Sequence, residues 1–332
     1  MELFKTKITG TGKFHPAKIM TNDDMAKLVD TNDEWIVQRT GIKERRIADP
    51  ETEYPSAMAY HAAADAIKNA GITADEISMI IFSVTLPDYL FPNSASQLQT
   101  KLGITTQCAC MDINAACTGW VYGLQVADAL IKTGVHKHIL VVGTEMTSAF
   151  NNWEDRGSCI LFGDGSGATV LSRNEDGDAS IITDSILSCD GTKSESLMLK
   201  KGGSRSPITH EVLDNKEQFV SMDGQIVFKN AVKTMSRHCA NLLERNGLGL
   251  DDIDWFIPHQ ANLRIIETTA KLLNFPMERV IVNVDKYANT SSASIPAALH
   301  EAFMDGRIKR GQTLLFAAFG AGLTSGAVLL KF

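Results

Sequence analysis

The sequence predicts an α/β fold built from two similar halves, layered on one another and related by a pseudo-twofold axis. Three observations carry this expectation: a collinear internal repeat, helix-period segments closed by glycine, and short apolar runs bounded by turns. The first repeated piece is "AADAIKNAGITADEISMIIFSVT" (Ala63–Thr85), which lines up with "CANLLERNGLGLDDIDWFIPHQA" (Cys239–Ala261). In each, an amphipathic helix stops at Gly71 or Gly247, a polar turn follows, and a buried apolar strand comes next. The second piece is "NAACTGWVYGLQVADAL" against "NTSSASIPAALHEAF", each opening a helix. Asn114 falls 43 residues after Gly71, and Asn289 falls 42 residues after Gly247. The strands "HILVVG" and "TLLFAAFG" follow, and each half closes with a glycine-rich turn and a last strand, "FGDGSGATVL" and "FGAGLTSGAVLL". Such uninterrupted apolar strands are covered on both faces, so the halves must pack together.

The halves are expected at 1–175 and 176–332, joined by the polar "RNEDGDAS" (Arg173–Ser180). Residues 188–216 are polar and rich in Gly and Ser, and read as a surface insertion in the second half. A length of 332 residues suits two such units. Hydrophobic residues at 44% and charged residues at 21% are ordinary for a soluble globular chain with a sizeable core. A net charge of −7 argues against nucleic acid as the main partner. "MELFKTKITG" lacks the apolar core of a signal peptide, and no apolar run of about 18 residues occurs. A cytoplasmic chain without membrane insertion is therefore expected. The six cysteines form no CxxC pair, so free thiols and no metal site are expected.

Chemistry points to Cys117. It stands among Ala115, Ala116, Thr118 and Gly119, at the N-terminal end of a helix expected over "TGWVYGLQVADALIKTG". Unpaired N–H groups and the dipole at a helix start favour an anion, which would lower a thiol pKa and yield the attacking thiolate. The same N–H groups suit an oxyanion. The alternative is a small hydrophobe packed beneath the helix. In the repeat, Cys117 aligns with Ser292 and Asn114 with Asn289, so a nucleophile occurs in one half only. His259 follows the strand "DWFI", at a strand end where open α/β folds bind ligands; a satisfied core histidine is the other reading. Asn289 precedes "TSSAS" and reads either as a helix N-cap or as a site residue. Cys, His and Asn in this chain order also occur in papain-like proteases, but the "CGSCW"-type signature is absent.

The segments "TNDEWIVQRTGIKERR", "NAACTGWVYGLQVAD", "DRGSCILFGDGSGA", "PHQANLRII", "NTSSASIPAAL" and "AFGAGLTSGAVLL" occur in this order along essentially the whole chain. On them the chain resembles the bacterial 3-oxoacyl-[acyl-carrier-protein] synthase III family (beta-ketoacyl-ACP synthase III). The resemblance implies a thiolase-like αβαβα layered fold, a homodimer, and no permanently bound cofactor. It implies that acyl-CoA transfers its acyl group to Cys117, and that malonyl-carrier then loses CO2 and attacks the thioester. His259 and Asn289 would stabilise the enolate, and the backbone N–H groups of Cys117 and Ala321 would hold the oxyanion of each tetrahedral intermediate. Ala321 stands where many members have glycine, so a left-handed backbone there would strain the turn.

The resemblance also places Trp35 and Arg156 around the adenine of CoA and Arg39 near its phosphates. Phe91 would cross a dimer interface to line the partner's acyl pocket, and Phe319 would lie beside the cysteine. The acidic carrier protein would meet Gln260, Ala261, Asn262, Leu263, Arg264 and Lys271, with Leu272 standing where a second basic residue is often found. Spacing adds Lys229, Lys233 and Arg237 at i, i+4 and i+8 of one helix face, a stripe that steers an acidic partner. Within the fold, the thiolases use a second cysteine and the elongating synthases two histidines, so the Cys–His–Asn set favours the initiating type. Polyketide-type relatives and a thioester hydrolase are the rival activities.

Overall fold

A computed structural model of the chain describes residues 3–175 and 177–332. Asp176, the first residue of the expected second half, lies outside the described residues, as do Met1 and Glu2 of the N-terminal stretch. The first half comprises β1 (Thr6–Phe14), α1 (Asp33–Thr40), α2 (Pro55–Ala70), β2 (Met79–Ser83), β3 (Ala109–Ile113), α3 (Gly119–Lys132), β4 (His138–Glu145) and β5 (Gly165–Arg173). The second comprises β6 (Ile181–Cys189), β7 (Leu197–Leu199), β8 (Val220–Met222), α4 (Gly224–Asn246), β9 (Trp255–Pro258), α5 (Leu263–Leu273), α6 (Ser294–Met304), β10 (Thr313–Gly320) and β11 (Thr324–Lys331).

The two main sheets repeat one topology. The first runs β1–β5–β4–β2–β3 and the second β6–β11–β10–β9. Strand senses match as well: β2 pairs β4 in parallel, as β9 pairs β10, and the remaining pairs leading to β1 and β6 are antiparallel. The place of β3 is held in the second half by one parallel bridge, Phe256 to Val280. The two glycine stops behave alike. Gly71 and Gly247 close α2 and α4 with φ of 69° and 65°, a left-handed cap that glycine adopts without a Cβ clash.

Helices α3 and α6 form the middle layer between the sheets. Trp120, Val121 and Leu124 of α3 and Ile295, Ala298 and Leu299 of α6 share one buried cluster with Ile81 and Val141 of the first sheet and Phe316 and Val328 of the second. Trp120 meets Phe316 edge to face, with ring centroids 5.4 Å apart, and so joins the halves across the centre. A second cluster lies outside the first sheet beneath α2. A third lies outside the second sheet beneath α4 and α5. The result is the αβαβα layering. Contact is close on the first outer face, where a Cβ on Gly10 of β1 would come within 2.0 Å of the Ala66 carbonyl oxygen of α2.

Residues 188–216 are mostly exposed, as their polarity suggests, but they are not unstructured. They include β7, which pairs with β8, and their Leu197 lines the central cavity with Met222. Among the described residues, no helix is long and apolar enough to cross a membrane.

Candidate active site

A cavity of about 580 Å³ opens where the two halves meet. Cys117, His259, Asn289 and Phe319 all line it, together with Trp35 and Arg39. The repeat explains the convergence. Cys117 lies in a one-turn 3-10 segment (Ala116–Thr118) between β3 and α3, and Ser291–Ala293 forms the corresponding turn before α6. The matching residues Ala116 and Ser291 both take left-handed backbone, φ 47° and 51°, so the same strained elbow occurs twice. His259 directly follows the strand β9, and its N–H donates to Ala317 of β10 at 2.8 Å.

Each of the two donors is oriented by a serine. His259 is 3% exposed, and its Nδ1 lies 2.7 Å from Ser294 Oγ. Ser294 Oγ already accepts the Gln260 N–H at 3.3 Å, so its own proton is free to donate to Nδ1. With Ser294 as the donor, the ring proton lies on Nε2. Burial lowers the His259 pKa to about 3, so the ring is a neutral donor. Asn289 Oδ1 accepts the Ser291 N–H at 2.8 Å, which leaves its amide N–H₂ to donate elsewhere. Asn289 lines the cavity and bonds into the turn, but it is not the helix N-cap: Thr290 precedes the 3-10 turn and Ala293 precedes α6, neither with a side-chain cap bond.

The thiol departs from expectation. The α-helix starts only at Gly119, two residues on, and Cys117 is half-buried. Desolvation outweighs the favourable contacts and pushes the thiol up to about 12 rather than down. Ser291 Oγ lies 3.4 Å from Cys117 Sγ. Gly320 packs against the cysteine backbone, where a Cβ would come within 2.8 Å of the Cys117 nitrogen. The neighbouring Ala321 is not strained, because the left-handed residue of that turn is Gly322, φ 127°. Ala321 is thus compatible with a backbone donor at this turn.

Among the described residues no Asp or Glu lines the cavity, and Arg39 and Arg264 supply positive charge at it. Arg39 lies 4.2 Å and Arg156 4.9 Å from the Trp35 ring centroid. A planar base stacked between Trp35 and Arg156 needs about 3.5–4.0 Å on each face, so Arg156 must swing outward to admit one. Phe91 lies outside this chain's own cavity; it is 86% exposed, beside Leu90 at 88%.

The basic stripe is on the surface. Lys229, Lys233, Arg237, Arg264 and Lys271 are exposed and carry no ion-pair partner among the described residues. Gln260 is a correction. It is 1% exposed, its amide bonds the Pro258 and Ile281 carbonyls and the Asn283 N–H, and it is not available to a docking partner. Ala261, Asn262 and Leu263 are half-buried, and the first two line the cavity. Sequence reasoning did not single out Ser291, Ser294 or Glu145. The two serines lie within "NTSSAS", but nothing in its spacing separates a structural hydroxyl from one that orients a donor.

Comparison with known proteins gives the family and agrees with the fold. Residues 111–191 match the family model described as 3-Oxoacyl-[acyl-carrier-protein (ACP)] synthase III, and residues 243–332 match its C-terminal counterpart. The beta-ketoacyl-[acyl-carrier-protein] synthase III of Xanthomonas campestris pv. campestris is 49% identical over 328 residues, 98% of each chain. The structure of 3-oxoacyl-[acyl-carrier-protein] synthase III from Aquifex aeolicus superposes with a TM-score of 0.91 at 43% identity, covering 98% of this chain and 100% of that one. The priming beta-ketosynthase of the R1128 polyketide pathway superposes with a TM-score of 0.90 at 32% identity, covering 99% of this chain and 96% of that one. The chain belongs to the beta-ketoacyl-[acyl-carrier-protein] synthase III family of thiolase-fold acyltransferases.

Proposed function

We infer that the protein condenses an acyl-CoA primer with malonyl-carrier to give 3-oxoacyl-carrier, CoA and CO2, the initiating step of fatty-acid synthesis, through an acyl group held on Cys117. One observation carries the reading. Both donors, His259 and Asn289, have one polar atom engaged by the "NTSSAS" turn and the other left free at the cavity that Cys117 lines.

Cys117 attacks the acyl-CoA carbonyl, and the backbone N–H groups of Cys117 and Ala321 hold the oxyanion. CoA leaves, with Trp35, Arg39 and Arg156 at its nucleotide end. Malonyl-carrier then enters. Losing CO2 puts negative charge on its thioester oxygen, and the His259 Nε2–H and Asn289 amide meet that charge as neutral donors. Each such donor contributes about 10²–10³ in rate. The enolate carbon attacks the Cys117 thioester, and the product leaves on the carrier. The arginines, with no carboxylate lining the cavity among the described residues, suit substrates that carry phosphate and carboxylate.

Docking of the acidic carrier falls to Lys229, Lys233, Arg237, Arg264 and Lys271, with Ala261, Asn262 and Leu263 beside them. The exposed Leu90 and Phe91 are read as a dimer contact, Phe91 entering the partner's acyl pocket. The chain is taken to act in the cytoplasm, with its two halves divided at 175/176. The test is incubation with a panel of acyl-CoAs followed by intact-protein mass spectrometry. An acyl adduct on wild type that is absent in Cys117→Ala supports the reading, and full acylation of Cys117→Ala overturns it.

A further inference from the structure

Glu145, the last residue of β4, is fully buried behind Cys117. Its carboxylate accepts the Thr85 N–H at 3.0 and 3.2 Å, the Thr85 hydroxyl at 2.8 Å and the Ser291 hydroxyl at 3.3 Å. The groups facing it are Thr85 and Leu86 after β2, Ser291 before α6 and Cys117 before α3. Of these only Cys117 titrates, and no cation pairs with Glu145 among the described residues. A buried acid without a cation is costly to keep ionised, and desolvation raises its pKa to about 7. The bonds to Thr85 and Leu86 fix the segment after β2, and the bond from Ser291 faces the carboxyl group toward the cysteine elbow.

Ser291 supplies the link. Its Oγ is 3.4 Å from Cys117 Sγ and 3.3 Å from Glu145 Oε1. A hydroxyl has one proton, so it cannot donate to both. With Glu145 ionised, Ser291 donates to the carboxylate and its oxygen is free to accept the Cys117 S–H. The left-handed backbone at Ser291, φ 51°, is unusual for a residue with a Cβ and holds the hydroxyl between the two groups. His259 is not placed for this work, since its Nδ1 is engaged by Ser294 and its Nε2 carries the proton needed later.

We propose that Ser291 and Glu145 form a proton relay for Cys117. The inference rests on the acyl-Cys117 reading above. On acylation the Cys117 S–H bond breaks and its proton passes to Ser291, while the Ser291 proton passes to Glu145. The thiolate forms the new thioester, the C–S bond to CoA breaks, and the CoA thiolate takes a proton from water. Glu145 stays neutral while malonyl-carrier is bound, so no second negative charge sits behind the site as the enolate forms. When the enolate carbon attacks, Cys117 leaves as thiolate and recovers the proton along the same path. The one proton the cycle consumes is the one CoA takes from water, so the negative charge of the malonyl carboxylate ends in solvent as hydroxide, and Glu145 is unchanged over the cycle.

The test compares wild type with Glu145→Gln and Ser291→Ala. Single-turnover acylation by acetyl-CoA is followed by intact mass between pH 6 and 9, and alkylation of Cys117 by iodoacetamide is followed without any acyl donor. Wild-type rates should rise through an inflection near neutrality. Both variants should lose that inflection and acylate about 100-fold more slowly at pH 7, the low end for a lost proton acceptor. Ser291→Ala keeps the backbone N–H that holds Asn289, so it serves alone if Glu145→Gln does not fold. Wild-type pH profiles in either variant, with rates within twofold, overturn the relay. A wild type that never forms an adduct overturns the acyl-enzyme reading instead.

Discussion

His259 Nδ1 lies 2.7 Å from Ser294 Oγ, across from the ring nitrogen left to face the cavity. The hydroxyl decides which nitrogen carries the proton, and therefore whether His259 is a donor or an acceptor toward the developing enolate. Ser294→Ala removes that decision and leaves Nδ1 unsatisfied in a buried place. Decarboxylation of malonyl-carrier should fall on the order of 10-fold, in kcat rather than KM. An unchanged kcat in CO2-release assays would show that the tautomer is set elsewhere.

Asn289 must donate, and its Oδ1 is already occupied by the Ser291 N–H. Asn289→Asp keeps that acceptor and removes the donor while adding a negative charge beside the enolate. Decarboxylation should drop by about 10²–10³ or more. Asn289→Ala should lose the donor alone and be no worse. A more active aspartate variant would contradict the role of neutral donor.

His259 should not titrate in the working range. Its folded pKa, about 3, lies below its ordinary value of 6.5, so the neutral ring persists throughout pH 5–8. The stability that comes from keeping it neutral is present above pH 6.5 and is lost as pH falls from there toward the folded value. Histidine Cε1 resonances assigned through His259→Gln should show one signal that is flat from pH 5 to 8. A midpoint near 6.5 for that signal refutes the assignment of a buried, neutral ring.

Trp35 carries two guanidinium groups, Arg39 at 4.2 Å and Arg156 at 4.9 Å from its centroid. Trp35→Ala removes the stacking surface without touching the reacting atoms. The KM for acyl-CoA should rise about 3- to 10-fold, with kcat nearly unchanged. Equal loss in kcat would place Trp35 in a structural role instead.

Lys229 and Lys233 are exposed on α4. Reversing both to glutamate should raise the KM for malonyl-carrier about 10-fold at low salt, with the gap closing as ionic strength rises. Acylation by acyl-CoA should be unaffected. A KM for malonyl-carrier equal to wild type at low salt would move the docking face elsewhere.

The repeat and its glycine stops were legible because local chemistry encodes them, whereas Cys117, His259 and Asn289 stood out from their other readings only through the family motifs. Gly71 and Gly247 mark helix ends through a left-handed cap that other residues avoid, and apolar runs mark strands covered on both sides. Gln260 was misplaced because burial of one residue in a docking segment depends on Pro258, Ile281 and Asn283, which only the fold brings to it. The thiol shift was misjudged for a similar reason: a helix dipole can be read from a segment, but desolvation cannot.

By itself, then, the order of residues determined two α/β halves and their layered packing, since periodicity and chain order are local properties, and it offered Cys117, His259 and Asn289 as candidates through the family resemblance. Tertiary structure alone set His259 Nδ1 against Ser294 and put Glu145 behind Cys117 with Ser291 between them. The Ser291 contacts hold atoms of residues 174 and 146 positions apart in the chain within 3.4 Å, a distance set by packing of the two elbows and invisible to any window of sequence.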